Sequence, residues 1–298
     1  MPTIDEAFGP RPPLTTEAAC KMVVRSGAIV AILVEGWSDQ AALEALAHRR
    51  GLNLAAERIV ILPVGGATNT GNFLDALGPP GLGVRLAGLV DANEEQHLWR
   101  GLERVGLGTN LSRAGAEALG FFVCDADLED ELIRALGAPA VERLLAVQGE
   151  LESFRRFQDQ PAQRAREGHA QLRRFMGTRA RRKIRYGALL TNALDLRWVP
   201  RALDAVLAHA RESQRTAPTT NEKSLAWKRR DDALDRGSPL RVDYGPLPRS
   251  DERLLRRGCG HCASAGQQAL TAISSPTLLP SNSLESGRSD SADVWGTR

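Results

Sequence analysis

The chain has 298 residues, 42% of them hydrophobic and 25% charged, with a formal net charge of +3 at pH 7. That length can bury a sizeable core in one or two domains, and no run reaches the roughly 18 consecutive apolar residues of a membrane span. The opening MPTIDEAFGPRPPL lacks the basic-then-apolar order of a secretory signal, so the expected location is the cytoplasm, with no membrane partner.

Thr15 or Thr16 can cap a short helix, EAACKMVVR, that stops at Gly27. Strands and helices then alternate: GAIVAILV a strand, SDQAALEALAHRR a helix ended by Gly51, RIVILPV a strand, TNTGNFLDAL a helix, VRLAGLV a strand, NEEQHLWRGLERV a helix, GFFVC a strand. The strands are near-continuous apolar runs, as expected of a parallel sheet covered on both faces by helices. After Asp127 the pattern is helical only, in LEDELIRAL, PAVERLLAVQGELESFRRF, PAQRAREGHAQLRRFM, TRARRKIRYGALLTNAL and PRALDAVLAHARES. From Ser213 the chain loses periodicity and reads as a disordered tail. The expected class is therefore α/β, a parallel sheet of about four strands flanked by helices. The expected divisions are an N-terminal segment at 1–27, an α/β core at 28–137, a helical extension at 138–212 and the tail at 213–298.

Four cysteines, Cys20, Cys124, Cys259 and Cys262, are too few and too scattered for a disulfide framework. Cys124, in FFVC, reads as a buried small hydrophobe. Cys259 and Cys262 form CGHC, but no strand-and-helix setting or second ligand pair accompanies them, which argues against redox and zinc roles.

Charge is unevenly spread. Acids gather between Glu35 and Glu131, whereas Arg155 to Arg185 holds eleven Arg or Lys against Asp159 and Glu167 alone. The basic stripe, with Arg173, Arg174, Arg179, Arg181, Arg182 and Arg185, is read either as a solvated face or as a contact surface for a phosphate backbone.

Ligands of an open parallel sheet bind beyond the carboxyl ends of its strands. The first strand ends at Glu35, with Asp39 just inside the next helix; the third ends at Asp91; the fourth leads to Asp125, Asp127 and Glu129. The second ends in Pro63-Val64-Gly65-Gly66, a loop small enough for backbone to approach a ligand. Carboxylates gathered at one place repel one another unless a cation lies between them, and hard oxygens suit Mg²⁺ or Mn²⁺. Ser38 reads as the cap of its helix, and Gly36 as the point where the chain turns between Glu35 and Asp39.

VEGWSD followed by AL, a Gly-Gly loop after the second strand and LVDAN after the third resemble the TOPRIM domain shared by type IA topoisomerases, bacterial primases and OLD-family nucleases. The similarity is closest to the OLD (overcoming lysogenization defect) family and spans about residues 28 to 210. It implies a TOPRIM catalytic core and a metal-dependent endonuclease or nickase, a hydrolase of DNA phosphodiesters. It further implies that Glu35, Asp39, Asp91, Asn93, Asp127 and Glu129 hold one or two Mg²⁺ or Mn²⁺ ions, with Glu35, Asp91 and Lys183 catalytic. In the family pattern the third strand ends in Asp-x-Asp, so Asn93 is a departure that removes one charge. Lys183 is one of only four lysines among 39 basic residues, and a compact ammonium can reach a crowded phosphoryl oxygen where a guanidinium fork would not fit.

The sequence has no GxxxxGK[ST], so an ATPase or helicase is expected, if anywhere, on a separate protein. Tyr186 and Tyr244 are its only tyrosines, and neither has the flanking domains of a strand-passing topoisomerase. Two other readings stay open: a catalytically weak TOPRIM protein that binds nucleic acid or recruits a partner, and an α/β protein that binds a small phosphorylated ligand at Gly65-Gly66.

Overall fold

Each of the four apolar runs forms a strand: β1 (Val30–Val34), β2 (Ile59–Pro63), β3 (Arg85–Asp91) and β4 (Phe121–Cys124). In this computed structural model, which describes residues 12–216 and Ala226, the strands pair in parallel in the order β2-β1-β3-β4. From residue 217 onward, Ala226 apart, the expected tail lies outside the described residues, as do Cys259, Cys262 and Tyr244.

The described helices are α1 (Thr16–Ser26), α2 (Trp37–Arg49), α3 (Ala67–Leu77), α4 (Glu95–Arg104), α5 (Arg113–Ala118) and α6 (Leu128–Leu136), then α7 (Ala138–Val147), α8 (Leu151–Gln158), α9 (Pro161–Arg164), α10 (Gly168–Gly177), α11 (Ala180–Ala193) and α12 (Arg201–Thr216). The alternation of a strand explains why the runs are apolar throughout. Val30, Ile32 and Val34 of β1 face one core, built with α2, α6 to α8 and α10 to α12, while Ala31 and Leu33 face another, built with α1, α3, α4 and α5. Both faces are covered. The helical extension thus shares its hydrophobic core with one side of the sheet.

Several boundaries differ from the sequence expectation, each for a local reason. PAVERLLAVQGELESFRRF divides into α7 and α8 because Gly149 adopts φ +69, a left-handed conformation that ends α7. The next expected helix divides into α9 and α10. Helix α5 was not expected; Ser112 Oγ starts it by accepting from the Gly115 amide at 3.1 Å. Helix α12 runs through Thr216, past the boundary expected at 213.

The start of α2 also differs. Gly36, not Ser38, is the capping position, and it is extended at φ −144, a conformation open to any residue, so no glycine turn is needed there. Asp39 Oδ2 reaches back to accept from the Gly36 amide at 2.7 Å. Ser38 is buried beneath α11 instead.

The contact between α2 and α11 is the most extensive between any two elements. Gly187 makes it possible, since a Cβ there would stand 2.5 Å from the Ser38 carbonyl oxygen. Rigid backbone cannot give way as a flexible side chain can. Gly187→Ala is therefore expected to lower stability by about 2 kcal/mol in urea unfolding, whereas Gly168→Ala, with open space around it, is expected to change little. Equal stability of the two variants would contradict this packing.

Candidate functional site

Register brings the strand-end acids together. Val34 pairs with Leu89 and Asp91 with Cys124, so β1 stops short of the end of β3, and Glu35 follows into the space beside Asp91. The Asp91 carboxyl hydrogen-bonds Glu35. The Gly65 amide fixes the neighbouring loop by donating to the Glu35 carbonyl at 2.9 Å. Gly65 and Gly66 take φ +78 and +104, which only glycine adopts without strain, and Gly66 then opens α3.

Asp39 and Glu129 enter the cluster from the first turns of α2 and α6, and both are almost fully buried. Lys183, on α11, places its Nζ 3.3 Å from Glu129 Oε2. The close approach at Gly187, one turn further along, sets that helix near the acids.

The electrostatics follow from burial and crowding. Burial, then the nearby Glu129 charge, pushes the Asp39 carboxyl up to about 7, with Lys183 and the Gly36 amide opposing and Glu35 adding to the rise. Burial, then the Glu35 charge and their shared hydrogen bond, holds Asp91 far above the usual carboxylate range. Glu129 is raised by burial, partly offset by Lys183. For Lys183 burial favours the neutral amine, but the Glu129, Asp39 and Glu35 charges outweigh it and keep the ammonium protonated.

The remaining sequence candidates are placed differently. Both oxygens of Asp127 are engaged: Oδ1 caps α6 by accepting from the Asp130 amide at 2.8 Å, and Oδ2 accepts from Arg173 Nε at 2.7 Å. Asn93 is exposed in a short 3-10 turn, Ala92–Glu94, and makes no hydrogen bond to the acids. Asp125 is exposed and paired with Arg134. Tyr186 is fully buried, with its phenol pushed up to about 12 chiefly by burial, an environment unsuited to a surface nucleophile.

The basic stripe is divided rather than continuous. Arg182 and Arg185 both pair with Glu150, at 2.6 and 3.0 Å, and Arg155 pairs with Glu142 at 2.6 Å. Arg174, Arg179 and Arg181 are exposed and have no ion pair among the described residues. Sequence reading had no means to see these pairings, because the partners stand 32 to 46 residues apart for Arg182, Arg185 and Arg173.

The donors suit a hard divalent cation. They are carboxylate oxygens, three of them are raised by mutual repulsion and burial, and Glu129 Oε1 is buried with no hydrogen-bond partner. They do not form a finished cage: among the described residues no three acidic, imidazole or thiol side chains are arranged to hold a metal as they stand. Lys183 and the raised carboxyl of Asp91 limit the negative charge in this arrangement.

Residues 28–92 match the family model described as the Overcoming lysogenization defect protein-like TOPRIM domain. The chain resembles in fold the C-terminal region of the Xanthomonas campestris pv. campestris OLD protein. A structure of that region phased with platinum has TM-score 0.52 and 23% identity, covering 64% of this chain and 96% of that one. A second, phased with mercury, has TM-score 0.50 and 24% identity, covering 63% and 97%. No curated protein sequence matches the chain. No described helix is long and apolar enough to cross a membrane.

A carboxyl whose folded pKa lies above its unfolded value stabilises the fold below the unfolded pKa, and that stability is lost as pH rises through the folded one. Asp39, Asp91 and Glu129 all shift in this sense. In EDTA the Tm is expected to fall as pH rises from about 4 to about 8. A divalent ion held by these acids would compete with those protons, so any increment in Tm from excess Mg²⁺ or Mn²⁺ is expected to be larger at the alkaline end. A Tm that climbs with pH in EDTA would contradict the assignment.

Proposed function

We propose that this chain, which carries an OLD-type TOPRIM domain, is a metal-dependent nuclease that hydrolyses DNA phosphodiester bonds. The observation that carries the reading is the convergence of Glu35, Asp39, Asp91 and Glu129 at one edge of the sheet, with Lys183 among them and one Glu129 oxygen unpartnered. Glu35, Asp39, Asp91 and Glu129 hold one or two Mg²⁺ or Mn²⁺ ions in this proposal. Asp127 serves by fixing the start of α6, and Asn93 is a peripheral group. A bound ion of this kind activates water and offsets charge on a phosphoryl oxygen.

The chain's own residues supply the rest. Lys183 is held cationic by three acids and is partly exposed, so its ammonium can meet the charge that grows on the phosphoryl oxygens. Asp91, raised by burial and by the Glu35 charge beside it, would give up its proton on binding an ion. Arg174, Arg179 and Arg181 offer free guanidinium groups to a backbone, which orients the strand without reading its bases. The proposed setting is the cytoplasm, with any ATPase or helicase acting as a separate partner.

A second reading, a TOPRIM protein that binds DNA but cleaves it weakly, is favoured by Asn93 and by the Lys183–Glu129 pair, which occupies one ligand oxygen. Supercoiled plasmid separates the two. With Mg²⁺ or Mn²⁺ the wild-type chain is expected to nick it, Glu35→Ala to abolish nicking, and Lys183→Ala to slow it on the order of 100-fold. Lys183→Arg is not expected to recover the rate. Nicking that survives Glu35→Ala, or none by the wild type, would remove the nuclease reading.

A further inference from the structure

A cleft of about 350 Å³ lies between α8, α10 and α11, lined by Arg156, Phe157, Phe175, Thr178, Arg179 and Arg182 among others. Its depth is built by Arg182, a buried guanidinium that stacks over Phe175 with its carbon 3.9 Å from the ring centre. Arg182 also donates to Glu150, to the Phe175 carbonyl and to Thr178 Oγ1. A residue so fully engaged is a fixed wall. The cleft is therefore shaped before any ligand arrives.

Its mouth carries charge to spare. Arg156 and Arg179 approach it from different elements, both exposed and without an acidic partner among the described residues; among those residues the one side-chain hydrogen bond of Arg156 is long, 3.4 Å, to Ser153 Oγ. Arg179 is also the capping position of α11, a helix that begins with no side-chain cap and no acid in its first turn. The positive end of a helix normally attracts acids, but here Arg179, Arg181, Arg182 and Lys183 crowd it. Unpaired amides, a helix dipole and two free guanidinium forks all call for the same thing, an anion with several acceptor oxygens.

The aromatic residues decide what kind of anion. Phe175 is 3% exposed and already covered by Arg182, and Phe157, 9% exposed, packs against it at 5.5 Å between ring centres. No ring face is left for a base to stack upon, so the site recognises phosphate rather than nucleobase.

We propose that this cleft is a second phosphate subsite, in which Arg156, Arg179 and the open first turn of α11 grip a DNA backbone phosphate on a side of α11 adjoining Lys183. This deepens the nuclease reading and rests on it for the choice of DNA. Neighbouring residues of a helix point about 100° apart. The cleft and the acid cluster therefore flank one helix, and a strand can engage both.

Fluorescence anisotropy of the full chain with a labelled oligonucleotide in EDTA, across a range of KCl, tests the subsite without cleavage. The double variant Arg156→Ala/Arg179→Ala is expected to raise Kd about tenfold and to flatten the salt slope by about one. The charge-matched control Arg100→Ala/Arg143→Ala, outside the cleft, is expected to shift both far less, and Arg156→Lys/Arg179→Lys to recover the slope but not the full affinity. Base composition should not alter the result. Equal losses in the double variant and the control, no loss in either, or no DNA binding by the wild type would each overturn the subsite. Plasmid nicking reports separately on the nuclease reading: weakened binding in the double variant with no nicking by the wild type keeps the subsite and removes the nuclease, whereas nicking with unchanged binding does the reverse.

Discussion

A carboxylate taken out of water needs a counter-charge, and for Glu129 that counter-charge comes from Lys183, 54 positions along the chain. The arrangement of the helical extension can be understood from this requirement. Helix α11 must lie close enough to α2 for a lysine to reach beneath it, and a glycine at 187 lets the two backbones approach. The ion pair is neither an ornament of the surface nor a simple source of stability, because desolvation of both partners offsets much of their attraction. Its effect is to hold an ammonium among the acids, where it opposes the rise that burial imposes on Asp39 and Glu129.

The strand ends were legible because they rest on a short-range rule. Apolar runs bounded by Gly and acids mark strands, parallel pairing puts their carboxyl ends on one edge, and Glu35, Asp39 and Asp91 fall together as a result. The Gly65-Gly66 loop was legible for the same reason, since its left-handed backbone admits little else. The chain does bend at Gly36 before α2, but with an extended φ that other residues can adopt, and Gly36 with Asp39 takes the capping role expected of Ser38.

What the sequence concealed depends on which distant side chains meet. Asp127 looked like a free acid until Arg173 arrived from α10, and Arg182 and Arg185 looked like free cations until Glu150 arrived from the start of α8. Periodicity carries no record of such pairings. The break at Gly149 was likewise obscured, because helix-forming residues on either side outvote one glycine in a pattern count, though not in the backbone.

Helix α12 packs on β1, β3 and β4 and also on α2, so a strand that begins at Val30 is covered by residues from Arg201 onward. This has a temporal meaning. During synthesis the sheet emerges long before its cover, and an apolar face stays exposed until nearly 170 further residues have followed β1. Contacts of such long sequence separation are slow to form. The face of the sheet that carries Val30, Ile32 and Val34 is therefore fully covered only once the residues from Arg201 onward are available to pack on it.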